Sequence, residues 1–98
     1  MIKHVIIWKL KESVENKEET MKSIKSALEG LTGKIEGLEK MLVLTDKLPS
    51  SSGDLMMDSL FTDDEALKNY QKNPLHLEVA NGLVRPNVEI RLSFDFEE

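Results

Sequence analysis

Hydrophobic periodicity changes repeatedly along this chain, and the order of the changes leaves few folds open. Residues 2–10 alternate, with His4, Ile6, Trp8 and Leu10 on one side and Lys3, Val5, Ile7 and Lys9 on the other, which predicts a strand apolar on both faces at its middle. Val14, Met21, Ile24, Leu28 and Leu31 then recur at helical spacing among lysines and glutamates. The start of this helix is signalled by Ser13 or Asn16, the latter with Glu19 as a capping box, and its end by Thr32-Gly33.

A second strand follows Gly37, with Leu38, Leu42 and Leu44 set against Met41 and Val43. The polar segment 46–54 predicts a loop, and Leu55 to about Phe61 a third strand in which Asp58 is the odd member. Thr62, with Glu65 three residues on, predicts the cap of a second helix carrying Ala66, Leu67 and Tyr70. Asn73-Pro74 breaks that helix and opens another, since Asn caps well and Pro is tolerated where no backbone donor is needed. This third helix is expected over 74–84, stopped near Arg85-Pro86, and a last strand alternates from Val88 to Phe96.

Strand, helix, two strands, a helix pair and a strand make the split βαβ order of an α+β, ferredoxin-like fold, an antiparallel sheet with helices on one face. In the preferred register the other face carries Val5, Ile7, Met41, Val43, Met56, Leu60, Ile90, Leu92 and Phe94, too much apolar area to leave wet. Two-fold pairing with a second copy covers it most simply, so a homodimer is expected.

At 98 residues the chain is a single domain, and with no cysteine it can have neither a disulfide framework nor a thiolate site. Thirteen basic against 18 acidic residues give a net charge of −5, which argues against nucleic acid and anionic membrane surfaces as partners. No stretch is long and apolar enough for a membrane span, and a cytoplasmic protein is expected. Neither a metal-ligand spacing nor a glycine-rich phosphate loop is present, so no cofactor is expected.

Three segments carry a resemblance: Met-Ile-Lys-His-Val-Ile-Ile-Trp-Lys-Leu at the start, 70–79 with Tyr70 six residues before His76 in an Asn-Pro-Leu-His turn, and Arg91-Leu-Ser-Phe-Asp-Phe-Glu97 near the end. They resemble the stress-responsive α/β barrel (Dabb) domain over nearly the whole chain, 1–98. The resemblance implies a dimeric α/β barrel of two ferredoxin-like sheets packed face to face, and it implies little about chemistry. A plant polyketide cyclase of similar architecture, olivetolic acid cyclase, uses a Tyr and a His for ring closure; these match Tyr70 and His76, and its early His matches His4. The chain departs from the pattern at Asn73, Leu75, Ser59 and Arg91.

Two readings of the site stay open. His76, on the apolar face of the third helix and in its first turn, is either a neutral general base or a buried histidine that fixes the turn. Tyr70 is either a hydrogen-bond donor to a substrate carbonyl or a core residue whose hydroxyl reaches water. His4, Ile6, Trp8, Met57, Ser59, Val79 and Arg91 are candidate walls of a cavity for a small, partly apolar molecule, although for Arg91 a structural pairing with an acidic neighbour such as Asp58 or Glu89 at the barrel rim is the favoured reading.

Overall fold

The computed structural model describes all residues from Met1 to Glu98. Strand β1 (Ile2–Leu10) leads into helix α1 (Lys17–Glu29), strands β2 (Leu38–Leu44) and β3 (Leu55–Phe61), helices α2 (Asp64–Lys72) and α3 (Pro74–Val79), and strand β4 (Val88–Glu97). The four strands form one antiparallel sheet in the order β2-β3-β1-β4, the ferredoxin-like arrangement that the periodicity predicts. No helix is long and apolar enough to cross a membrane.

The core lies between the helices and one sheet face. Ile6, Trp8 and Leu10 of β1, Val43 of β2 and Leu55, Met57 and Phe61 of β3 meet Ile24 and Leu28 of α1 and Leu67 and Tyr70 of α2. The other face is open, and its register corrects the sequence reading on β2. Met41 and Val43 are 7% and 0% exposed and face the helices, whereas Leu42 and Leu44 are each 46% exposed on the open face. The cause is an irregularity between Leu38 and Lys40, which lets Leu38 and Met41 both point inward.

The edge strand β2 is protected from α1. The Glu29 carboxylate accepts from the Val43 N–H at 2.9 Å and from the Lys25 ammonium at 2.8 Å, while that ammonium donates to the Val43 carbonyl at 2.7 Å. The unpaired backbone groups at that residue are thus satisfied by side chains, which blunts the edge.

Asn16 caps α1, accepting from the Glu19 N–H at 3.0 Å, as the capping box requires. The helix ends earlier than expected, at Glu29; Gly33, at φ +85°, lies beyond a further turn. Asp63, not Thr62, caps α2 by accepting from the Ala66 N–H at 2.7 Å. Thr62 is still held to the preceding turn, its N–H donating to the Gly37 carbonyl at 3.0 Å. Gly37 is itself required there: its φ is +86°, and a Cβ would lie 2.4 Å from that of Ala66. The helical path does run from Pro74 to Val84, but its last five residues, Ala80–Val84, form a π turn in which the Arg85 N–H reaches back to the Ala80 carbonyl.

Candidate functional site

A cavity of about 310 Å³ opens between the sheet and the last helical segments, lined by side chains from β1, α1, β3, α2, α3, the π turn and β4. Inward-facing strand positions supply His4, Ile6, Trp8, Met57 and Arg91, and the Asn73-Pro74 break turns α3 so that His76 joins Tyr70 at the inner wall. Of the nine residues expected at a site these seven line it. Ser59 and Val79 do not: the Ser59 hydroxyl, fully buried, donates to the His4 carbonyl at 2.7 Å, and Val79 packs against the core.

Three buried polar atoms at this cavity have no hydrogen-bond partner: Trp8 Nε1, the Tyr70 hydroxyl and His76 Nδ1. Buried polar groups are nearly always paired, because an unpaired one costs about 1–3 kcal/mol. Here three such atoms belong to residues that line one void.

The turn, which one of the two readings assigns to His76, is capped by Asn73. The Asn73 side chain caps α3, accepting from the Leu75 N–H at 2.9 Å. The imidazole instead faces the Tyr70 ring, with centroids 4.2 Å apart and planes inclined at 39°, and no hydrogen bond joins them. Tyr70 in turn packs on Phe61 at 4.9 Å. The pair therefore stacks, leaving the hydroxyl and Nδ1 free to reach a third molecule.

Burial sets the protonation of both groups. It lowers the His76 pKa below the ordinary 6.5, opposed by the Gln71 main chain and reinforced by the charges of Arg85, His4 and Arg91. The imidazole is neutral at pH 7, chiefly through desolvation. Burial raises the Tyr70 hydroxyl well above its ordinary value, with Arg91 opposing, so the phenol keeps its proton and is a hydrogen-bond donor.

His4 is anchored from outside the cavity, its Nδ1 bonded to the carboxylate of Asp95, its cross-strand neighbour on β4. Arg91 pairs with neither Asp58 nor Glu89. Asp58 is taken by Lys3 at 2.6 Å, on the open face, while Arg91 lies opposite Trp8 with its side chain on the cavity. Leu28, Gln71, Ala80, Val84 and Arg85 complete the lining and were not foreseen. Arg85 reads in the sequence only as a helix stop, because the π turn that swings it to the cavity leaves no periodic signal. No three His, Asp or Glu side chains converge as a metal ion requires.

A ferredoxin-like α+β domain with an internal cavity walled by its sheet and its last helices is the class these features define. Within that class, the stress responsive A/B barrel domain (Dabb) profile matches residues 2–98, and the chain belongs to this family. A dimeric ferredoxin-like protein of unknown function from Bacteroides fragilis is similar at 29% identity, with a TM-score of 0.89 over 99% of this chain and 95% of the other. A Dabb family protein from Mesorhizobium loti, at 23% identity, superposes with a TM-score of 0.79 over 99% and 95% of the two chains. The fold also extends to a hydroxynitrile lyase from Passiflora edulis, at 16% identity and a TM-score of 0.80 over 97% and 90%. No curated protein matches the sequence.

Proposed function

We propose that this chain is a cytoplasmic homodimer in which each protomer binds a small, partly apolar molecule in the cavity between sheet and helices. The observation that carries the reading is that Trp8, Tyr70 and His76, which all line one void, each hold a buried polar atom without a partner: Trp8 Nε1, the Tyr70 hydroxyl and His76 Nδ1. A bound oxygen satisfies them, while Ile6, Leu28 and Met57 offer apolar contact to the rest of a ligand. Support for the dimer comes from the open sheet face, where Leu92 and Phe94 are 63% and 69% exposed beside Ile7, Leu42 and Leu44, and from the dimeric state of the Bacteroides fragilis protein.

The chain has a single tryptophan, so one indole N–H resonance reports on the cavity. In a screen of small aromatic and carbonyl compounds, binders are expected to shift that resonance saturably and to lose affinity in Tyr70→Phe. A screen in which no compound moves it contradicts the reading.

A second reading, a polyketide-cyclase-like enzyme, is favoured by the protonation states. A neutral His76 removes a proton from the carbon next to a carbonyl, and the Tyr70 hydroxyl donates to the enolate oxygen that forms. The enolate carbon then attacks a second carbonyl of the same molecule, and the imidazolium returns its proton to the new alkoxide. Exchange of α-hydrogen for deuterium in a 3-oxo ester, faster than in buffer and lost in His76→Ala, is the expected signature; exchange equal to that variant's refutes it.

A further inference from the structure

The cavity is lopsided in charge. Its lining includes Arg85 and Arg91 and no aspartate or glutamate, in a chain whose net charge is −5. Neither guanidinium is neutralised: Arg85 bonds only the neutral side-chain carbonyl of Asn81, and Arg91 has no ion pair. On the same face of β4, Asp95 is engaged by His4, and Glu97 lies at the far end of the strand, paired with Ile2. Both arginines are solvent-exposed, which places them at the mouth, whereas Trp8 Nε1 and the Tyr70 hydroxyl lie deep and His76 Nδ1 is buried beside them. Their fields nonetheless reach inward, since both disfavour charge on His76.

The site therefore combines two exposed cationic forks, apolar contact from Ile6, Leu28 and Met57, and buried polar groups that include an obligate donor, the indole N–H of Trp8, the residue paired with Arg91 across β1 and β4. Guanidinium groups favour planar, bidentate oxyanions, and the fork geometry of a carboxylate matches them. Building on the reading that the cavity binds a small molecule, we propose that its ligand is an amphipathic monoanion, an aromatic or enolic carboxylic acid whose carboxylate meets Arg85 and Arg91 and whose further oxygen takes hydrogen bonds from the buried polar groups.

The test titrates isotope-labelled full-length protein with 4-hydroxybenzoate, its neutral isostere 4-hydroxybenzamide, and phenyl phosphate, following the Trp8 indole resonance. The acid is expected to saturate the shift with a Kd about tenfold below that of the amide, a gap the size of one charge-assisted contact. Arg91→Gln and Arg85→Gln are each expected to narrow that gap, weakening the acid more than the amide. Equal Kd values for acid and amide overturn the anion assignment and leave the cavity a binding site for neutral molecules. Tighter binding of phenyl phosphate than of the acid overturns the carboxylate in favour of a phosphate ester. If none of the three moves the indole signal, both this proposal and the small-molecule reading beneath it fail.

Discussion

Replacing Tyr70 by Phe removes one oxygen and nothing else from the site, and the structure predicts that the unliganded protein gains stability. The ring keeps its packing against Phe61 at 4.9 Å and His76 at 4.2 Å. The residue is 1% exposed and its hydroxyl has no partner, so the oxygen is held away from bulk water without compensation. An unpaired buried hydroxyl costs about 1–3 kcal/mol, and a water molecule entering the adjacent cavity recovers part of that. The expected gain is about 1 kcal/mol, equivalent to roughly 4–8 °C in melting midpoint for a domain of this size. Urea unfolding at fixed protein concentration measures it, with an unchanged slope showing that only stability has moved. The same variant should bind ligands more weakly, so stability and affinity change in opposite directions. A Tyr70→Phe protein that unfolds at the same or lower urea concentration than the parent refutes the reasoning, because it means that the hydroxyl is held by a structural hydrogen bond.

Ile7→Lys or Leu92→Glu, on the open sheet face, is expected to abolish association in sedimentation, and the parent's melting midpoint should rise with protein concentration; a stable parent monomer at micromolar concentration contradicts the dimer. The lowered His76 pKa means that the unfolded chain takes up its proton first, so the stability this group contributes is complete above pH 6.5 and is lost as pH falls toward the folded value. The difference between the urea midpoints of parent and His76→Gln should therefore be constant above pH 6.5 and shift against the parent as pH falls through that window, whereas the hydrogen-bonded carboxylates Glu29 and Asp54, whose pKa values are lowered from 4.5 and 3.8, lose their contribution only in stronger acid. Asp63→Ala should cost about 1 kcal/mol in the same assay by removing the α2 cap, and Thr62→Ala clearly less.

The fold was legible in the sequence wherever periodicity alone decides the face. The alternation of β1 and β4, the stripe of α1 and the Asn73-Pro74 break each correspond to an element. On β2 the same reasoning failed, because an irregular residue shifts the face without altering the apolar pattern, and Met41 and Leu42 are equally plausible core residues until the pairing with β3 is known. At the end of β1, a similar shift between Lys9 and Leu10 leaves the Leu10 N–H to the Asp54 carboxylate at 2.8 Å, a contact spanning 44 residues that no local signal announces.

The site was legible in residue type and less so in geometry. Tyr70 and His76 do meet at one cavity wall, but their stacking, with the hydroxyl and Nδ1 unpaired, is a geometry that residue type and spacing do not announce. Ser59 falls on the inward face as its alternation requires, yet its hydroxyl is spent on the His4 backbone. For Arg91 the sequence favours a salt bridge at the rim, but the strand register sets Asp58 on the open face, where Lys3 takes it, and Arg91 on the cavity face without an ion pair.

The central claim is that the cavity is built around a molecule the chain does not supply, and a crystal structure of protein purified from its native source without exposure to added ligands tests it most directly. The account predicts continuous density of non-solvent shape in the cavity, with an oxygen within hydrogen-bonding distance of at least two of Trp8 Nε1, the Tyr70 hydroxyl and His76 Nδ1. A void closed by its own side chains, with those three atoms bonded to one another or to the backbone, would contradict it.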